Sequence, residues 1–76
     1  MKTKVDLYII DRVRKKRIEK GLSQRAFADN MNLSQSFVAH TENSRQKEKY
    51  NINHVNEFVR FFECSLWEFI PQFPFD

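Results

Sequence analysis

The stretch from Gln24 to Thr41 constrains this chain more than any other. It reads Gln-Arg-Ala-Phe-Ala-Asp-Asn-Met-Asn-Leu-Ser-Gln-Ser-Phe-Val-Ala-His-Thr. Phe27, Ala28 and Met31 are apolar at helical spacing. Asn32 follows where the chain must turn, and Asn tolerates a left-handed backbone better than most non-Gly residues. Leu33 plugs the turn, Ser34 can cap a new helix, and Val38 sits on that helix's inner face. Ala28 must be small because the second helix crosses close to it. The pattern predicts two short helices joined by a tight turn.

Composition agrees with an all-α chain. Hydrophobic residues make up 41% and aromatics 14%, too apolar for a disordered segment. One Gly and two Pro leave little punctuation for β-hairpins. Seventy-six residues are expected to form one domain, residues 1–76, with a small core over about 6–70 and an aromatic tail at 71–76. The net charge of +3 suits a polyanionic partner without demanding one. Cys64 stands alone, so no intramolecular disulfide framework exists. No run approaches the roughly 20 apolar residues of a membrane span, and a cytoplasmic protein is the default expectation.

Five helices are expected. The first covers about Asp6 to Lys20, with Ile9, Ile10, Val13 and Ile18 apolar and Arg17 interrupting the inner stripe. Gly21 stops it in the C′ position. Ser23 caps a second helix, Gln24 to Asn30, and the third covers Gln35 to Asn43. A polar connection, Ser44 to Tyr50, leads to Asn51, which caps a fourth helix. Ile52, Val55, Phe58, Val59 and Phe62 are expected on its inner side. Ser65 and Glu68 stand in capping-box spacing and open a short fifth helix, Leu66 to Ile70, which Pro71 ends.

Two short helices joined at this spacing form the helix-turn-helix unit, which lays its second helix in the DNA major groove. The outer face of that helix is expected to carry Gln35, Ser36, Ala39, His40 and Asn43. Amide side chains suit adenine's paired donor and acceptor, and small residues allow close approach. Gln35, Ser36, His40 and Asn43 are therefore the candidates for base readout, although a merely solvated helix face has the same polarity. Ser23, Gln24 and Arg25 open the preceding helix, where side chains and backbone N–H groups can hold a phosphate. Arg45 and Lys47, with Lys49, form a basic loop after the reading helix and are candidate phosphate contacts, diluted by Glu48. Arg12, Arg14, Lys15 and Lys16 read as a mostly solvated face.

Other chemistry finds no support. Two separated His and one Cys do not make a zinc site, and His54 reads as a surface residue near a helix start. Cys64 reads as a buried small hydrophobe. No nucleophile stands with an oriented base, and one Gly cannot supply a phosphate-cradling loop. No metal, cofactor or enzymatic activity is expected.

The residues also resemble a known family. The run from Val13 to Gln24, then Leu33-Ser-Gln-Ser-Phe-Val38, then Glu42-Asn43, is similar to the Cro/C1-type helix-turn-helix domain of lambdoid phage repressors, the XRE family. Cys64-Ser-Leu-Trp-Glu-Phe-Ile70 is similar to that family's closing helix. The resemblance implies a compact five-helix, lambda-repressor-like domain whose third helix reads double-stranded DNA, usually as a symmetric dimer. It implies that positions matching Gln35, Ser36 and His40 face the groove and that Gln24 contacts the DNA backbone. It also implies a partly buried ion pair between Arg17 and Glu42, setting the angle of the reading helix. Asn32, Ser44 and Glu63 stand where the family often has Gly, and Thr41 where it has a bulky aliphatic residue.

The leading expectation is a sequence-specific transcriptional regulator, a repressor on a near-palindromic operator. An antitoxin with a toxin or other protein partner is a variant. The alternative is a helical protein-interaction module with little DNA binding. Trp67, Phe69, Phe73 and Phe75 exceed what so small a core can bury. They either build the homodimer or fold back over the chain's own core.

Overall fold

Thr3 begins the first helix, earlier than its apolar pattern suggests. Its hydroxyl accepts from the Asp6 N–H at 3.1 Å, and the Asp6 carboxylate accepts from the Thr3 N–H at 2.8 Å. This reciprocal capping box satisfies two amides that a helix start leaves unpaired. In the computed structural model, which describes residues 1–75, helix α1 therefore spans Lys4–Glu19. Asp76, the last residue of the expected tail, lies outside the described residues.

Gly21 closes α1 with a left-handed φ of 71°. Its N–H donates to the Ile18 carbonyl and that of Leu22 to the Arg17 carbonyl, the paired bonds of a Schellman turn. Helix α2 spans Gln24–Met31 and α3 spans Gln35–Glu42, so the expected boundaries shift by one residue at each C-terminus. Helix α4 spans Ile52–Phe62.

The expected fifth helix is a 3₁₀ turn, Leu66–Glu68. Ser65 does cap it, but Glu68 does not complete a capping box. The Glu68 carboxylate instead pairs with Lys16 at 3.1 Å, and its carbonyl accepts from Arg12 Nε at 2.8 Å. Pro71 leaves no length for a full α-helical turn to propagate. The fold is thus four α-helices and a 3₁₀ turn, with no strand among the described residues. Its radius of gyration, 11.7 Å, is near the roughly 11 Å of a compact chain this long.

The core collects one stripe from each helix. Ile10 and Val13 come from α1, Phe27 and Ala28 from α2, Val38 from α3, and Val55, Phe58 and Phe62 from α4. Phe27 is fully buried and stacks on Phe62 at 5.8 Å between ring centroids, with Phe58 tilted at 5.2 Å. Phe69 drops from the 3₁₀ turn into this cluster and is itself fully buried. Two expected inner residues lie outside: Ile18 is half exposed and Ile52 is 60% exposed. Ile52 is the first residue of α4, where the helix has not yet turned onto the core, and Phe61, near the other end of α4, packs against the core beside Phe27 without having been expected there.

His54 is not a plain surface residue. Its Nδ1 accepts from the Asn51 N–H at 3.0 Å while the Asn51 side chain accepts from the His54 N–H at 2.9 Å. The half-buried ring packs on Phe37, Tyr50 and Phe58. Burial lowers its pKa from the usual histidine value. Cys64 is only half-buried, and burial pushes its thiol up, away from reactivity.

Candidate nucleic-acid interface

The α2–α3 corner is built by short-range chemistry. Asn32 takes φ 56° and ψ 41°, the left-handed conformation that reverses the chain. The Leu33 N–H donates to the Ala28 carbonyl at 2.9 Å, and Leu33 lies against the core. Ser34 caps α3 through the Phe37 N–H at 3.0 Å, as Ser23 caps α2 through Ala26. Ala28 is fully buried where the two helices meet. Ser44, by contrast, does not adopt the left-handed backbone.

This frame turns α3 so that one face is inside and one outside. Val38 and Thr41 are fully buried. The Thr41 hydroxyl donates to the Phe37 carbonyl at 2.7 Å, so the polar atom sits in the core without an unmet bond. Gln35, Ser36, His40 and Asn43 are exposed, and their spacing places them along one side of the helix. Ala39, expected with them, is half-buried. Asn43 is the C-cap rather than a helical residue, and its Oδ1 accepts from the Arg45 N–H at 3.0 Å. His40 Nδ1 lies 3.5 Å from a carboxylate oxygen of Glu48.

The candidate phosphate contacts flank that face. Ser23 and Arg25 are exposed at the start of α2, where the first backbone N–H groups have no partner inside the helix. Gln24 is half-buried and its amide donates to Glu42 Oε1 at 3.0 Å. Arg45 and Lys47 are exposed in the loop that leaves α3.

Behind the outer face stands a buried polar lock. Arg17 Nε and Nη2 donate to the two carboxylate oxygens of Glu42, each at 2.8 Å, and Nη1 donates to the Leu22 carbonyl at 2.7 Å. The side chains are 10% and 4% exposed, so water screens this pair little. The planar guanidinium matches the carboxylate two bonds at a time, which fixes orientation as well as distance. The lock joins α1, the corner before α2 and the end of α3. Arg14 lies 3.8 Å from the same carboxylate but is half exposed, a weaker contact.

These features meet in a comparison with known families. The family model described as helix-turn-helix matches residues 13–49. This segment is a Cro/C1-type helix-turn-helix domain of the XRE family. No curated protein and no solved structure gives a significant match to the chain. The family is one of DNA-binding regulators. The match runs from Val13 on α1 through the lock, both helices and the basic loop to Lys49.

Four side chains around the helix-turn-helix segment make contacts that the sequence does not signal. Lys2 reaches the carbonyls at the end of α3. Glu48 dilutes the charge of the basic loop and also faces His40. Arg12 and Lys16, read as solvated, tie α1 to the 3₁₀ turn. The Lys2, Arg12 and Lys16 contacts join residues far apart in sequence, which periodicity cannot reveal. Among the described residues no three His, Cys, Asp or Glu side chains come together as a metal group, and no helix is long and apolar enough to cross a membrane.

Proposed function

We propose that residues 1–76 act as one helix-turn-helix domain that binds DNA sequence-specifically and represses transcription from a near-palindromic operator as a dimer. The observation that carries the reading is the outer face of α3. Gln35, Ser36, His40 and Asn43 project from a short helix whose inner side is anchored by Val38, Thr41 and the Arg17–Glu42 lock. A rigid helix with exposed amide, hydroxyl and imidazole groups suits base edges in the major groove. Arg25 before this face and Arg45 and Lys47 after it suit the phosphates on either side. Gln24 serves less as a free phosphate ligand than as part of the lock, while its backbone N–H remains at the helix start. Such a role places the chain in the cytoplasm with its DNA.

Dimerisation draws on the exposed aromatics at the C-terminal end. Trp67 is 56% and Phe73 79% exposed, and aromatic side chains are favoured at interfaces. The same open groove, bordered by Tyr8, Ile70 and Phe75, supports the second reading, a protein-interaction surface such as an antitoxin presents to its toxin.

Selection of bound sequences from random duplex DNA, at a stated salt concentration, tests both readings. A palindromic consensus supports the dimeric repressor, and an unsymmetrical one leaves DNA reading without the dimer. Recovery of no consensus, together with salt-insensitive or absent binding, would leave the protein-interaction module as the better account.

A further inference from the structure

Residues 2 to 6 reach the far end of the helix-turn-helix segment from across the sequence. The last carbonyls of an α-helix have no partner inside it. At α3 they are met by the ammonium of Lys2, which donates to the carbonyl oxygens of Thr41 at 2.7 Å, Asn43 at 2.8 Å and His40 at 3.4 Å. An ammonium has three protons, and here each has an acceptor. Its charge also lies at the negative end of the helix dipole, where a cation is stabilising.

The bonded carbonyls belong to the turn that carries His40 and Asn43. The Asn43 oxygen additionally accepts from the Gln46 N–H at 3.0 Å, so the first turn of the basic loop hangs on the same atom. Four residues beyond Lys2, the Asp6 carboxylate that caps α1 stands 3.5 Å from the Lys49 ammonium in that loop. One short segment thus grips both the end of α3 and the loop bearing Arg45 and Lys47.

We infer that Lys2 is a positioning residue for DNA readout. Its ammonium fixes the last turn of α3, and with it the aim of His40 and Asn43 and the path of the basic loop. The inference rests on the reading of α3 as the DNA-reading helix. Lys2 acts through backbone carbonyls in this account rather than by touching DNA.

The test uses the full chain and the duplex that the wild type selects from random DNA. Lys2→Met keeps the stem and removes all three donors. It is expected to lower affinity for that duplex about tenfold, an effect of the size that charge-assisted bonds carry. Binding to an unrelated duplex and the salt dependence should stay as in the wild type. Amide hydrogen exchange should quicken at His40 to Gln46 while the rest of the core keeps its protection. Lys2→Arg, which retains charge and donors, should restore most of the affinity. A Lys2→Met chain that binds the selected duplex as tightly as the wild type would overturn the inference. An equal loss on every duplex, with a shallower salt dependence, would overturn it too, since that marks a direct phosphate contact. Global unfolding of Lys2→Met would make Lys2→Gln the deciding variant, with selective loss supporting and uniform loss opposing the inference. A wild-type chain that selects no sequence fails the DNA-reading proposal before any variant is made, and this inference falls with it.

Discussion

Arg17 and Tyr50 are both buried within the influence of the Glu42 carboxylate and meet opposite fates. Arg17 has three N–H groups satisfied by Glu42 and Leu22, whereas the buried Tyr50 hydroxyl finds no partner among the described residues. Burial raises the Tyr50 pKa, and the nearby Glu42 charge raises it further against the opposing pull of Arg17. That hydroxyl stays neutral across the physiological range and contributes only its desolvation cost. Tyr50→Phe is therefore expected to stabilise the domain by about 1 kcal/mol in urea unfolding. A clear loss of stability would mean that the hydroxyl has a partner after all. Removing Arg17 has the opposite sign. Arg17→Met leaves the Glu42 carboxylate buried with the Gln24 amide and a half-exposed Arg14, and should cost about 3–5 kcal/mol. A double-mutant cycle with Glu42→Gln should return coupling above about 0.5 kcal/mol, and coupling near zero would mean two independent charges. Arg17 was legible as an Arg on an apolar stripe that needs a partner, while Glu42 as that partner came from the family resemblance. The Leu22 and Gln24 contacts were not legible, because they depend on where the corner between α1 and α2 places a backbone carbonyl and a side-chain amide. On the outer face, Gln35→Ala should cost about 1–3 kcal/mol on the selected duplex and relax one base position. An unchanged consensus and affinity would remove Gln35 from the reading set.

Helix ends were the most readable elements, because a cap is a local device. Ser23, Ser34 and Asn51 each accept from the amide expected of an N-cap, and Gly21 and Asn32 take the left-handed turns. The misplacements share a different cause. Glu68 stands at capping-box spacing from Ser65, but Lys16 and Arg12 from α1 take its carboxylate and carbonyl. Tertiary competition decided that element, and the expected helix shrank to a 3₁₀ turn. Asn51 and His54 form the reverse case, since an imidazole occupies the place usually held by Glu or Gln in a capping box. This arrangement requires a neutral Nδ1 that accepts the Asn51 N–H. The folded state lowers the His54 pKa, so protons bind more readily to the unfolded chain at this site. The contribution is fully present above the unfolded histidine pKa of about 6.5 and is lost as pH falls toward and through the folded value. Stability measured from pH 7.5 downward should decline over that window, and His54→Gln should flatten this part of the profile. A decline of the same depth in His54→Gln would assign it to other groups. Glu63 offers a test of backbone strain at the end of α4, with φ 52° and ψ 53°. Glu63→Gly should raise stability by roughly 0.5–1 kcal/mol, since only Gly occupies that region without a Cβ penalty.

For the molecule as a whole, the aromatic excess divides between inside and outside in a way that residue counting cannot resolve. Phe69 was expected among the partner-facing residues, but it is fully buried against Phe58 and Phe62 and is not available to a second chain. Phe75 returns to α1, with its ring centroid 5.7 Å from that of Tyr8. The tail thus lies partly on its own chain, while Trp67 and Phe73 stay open to solvent beside it. The excess was legible as a number of rings, but its partition follows from the 3₁₀ turn, which points Phe69 inward and Trp67 outward two residues apart. If two copies meet here, the contact must centre on Trp67 and Phe73, with Tyr8 and Phe75 forming the groove wall. The reading helices of a two-fold pair would then have to stand about 34 Å apart to enter successive major grooves. Trp67→Gln and Phe73→Gln change exposed side chains, so each should leave the thermal unfolding of the isolated chain within about 0.5 kcal/mol of the wild type. Sedimentation equilibrium should nevertheless show weaker self-association for both, and binding to a palindromic duplex should weaken while binding to a single half-site does not. Deleting residues 72–76 should weaken self-association similarly, but with an added loss of stability because Phe75 leaves Tyr8. Wild-type self-association that neither substitution alters would place the interface elsewhere on the chain and leave this groove to a partner other than a second copy.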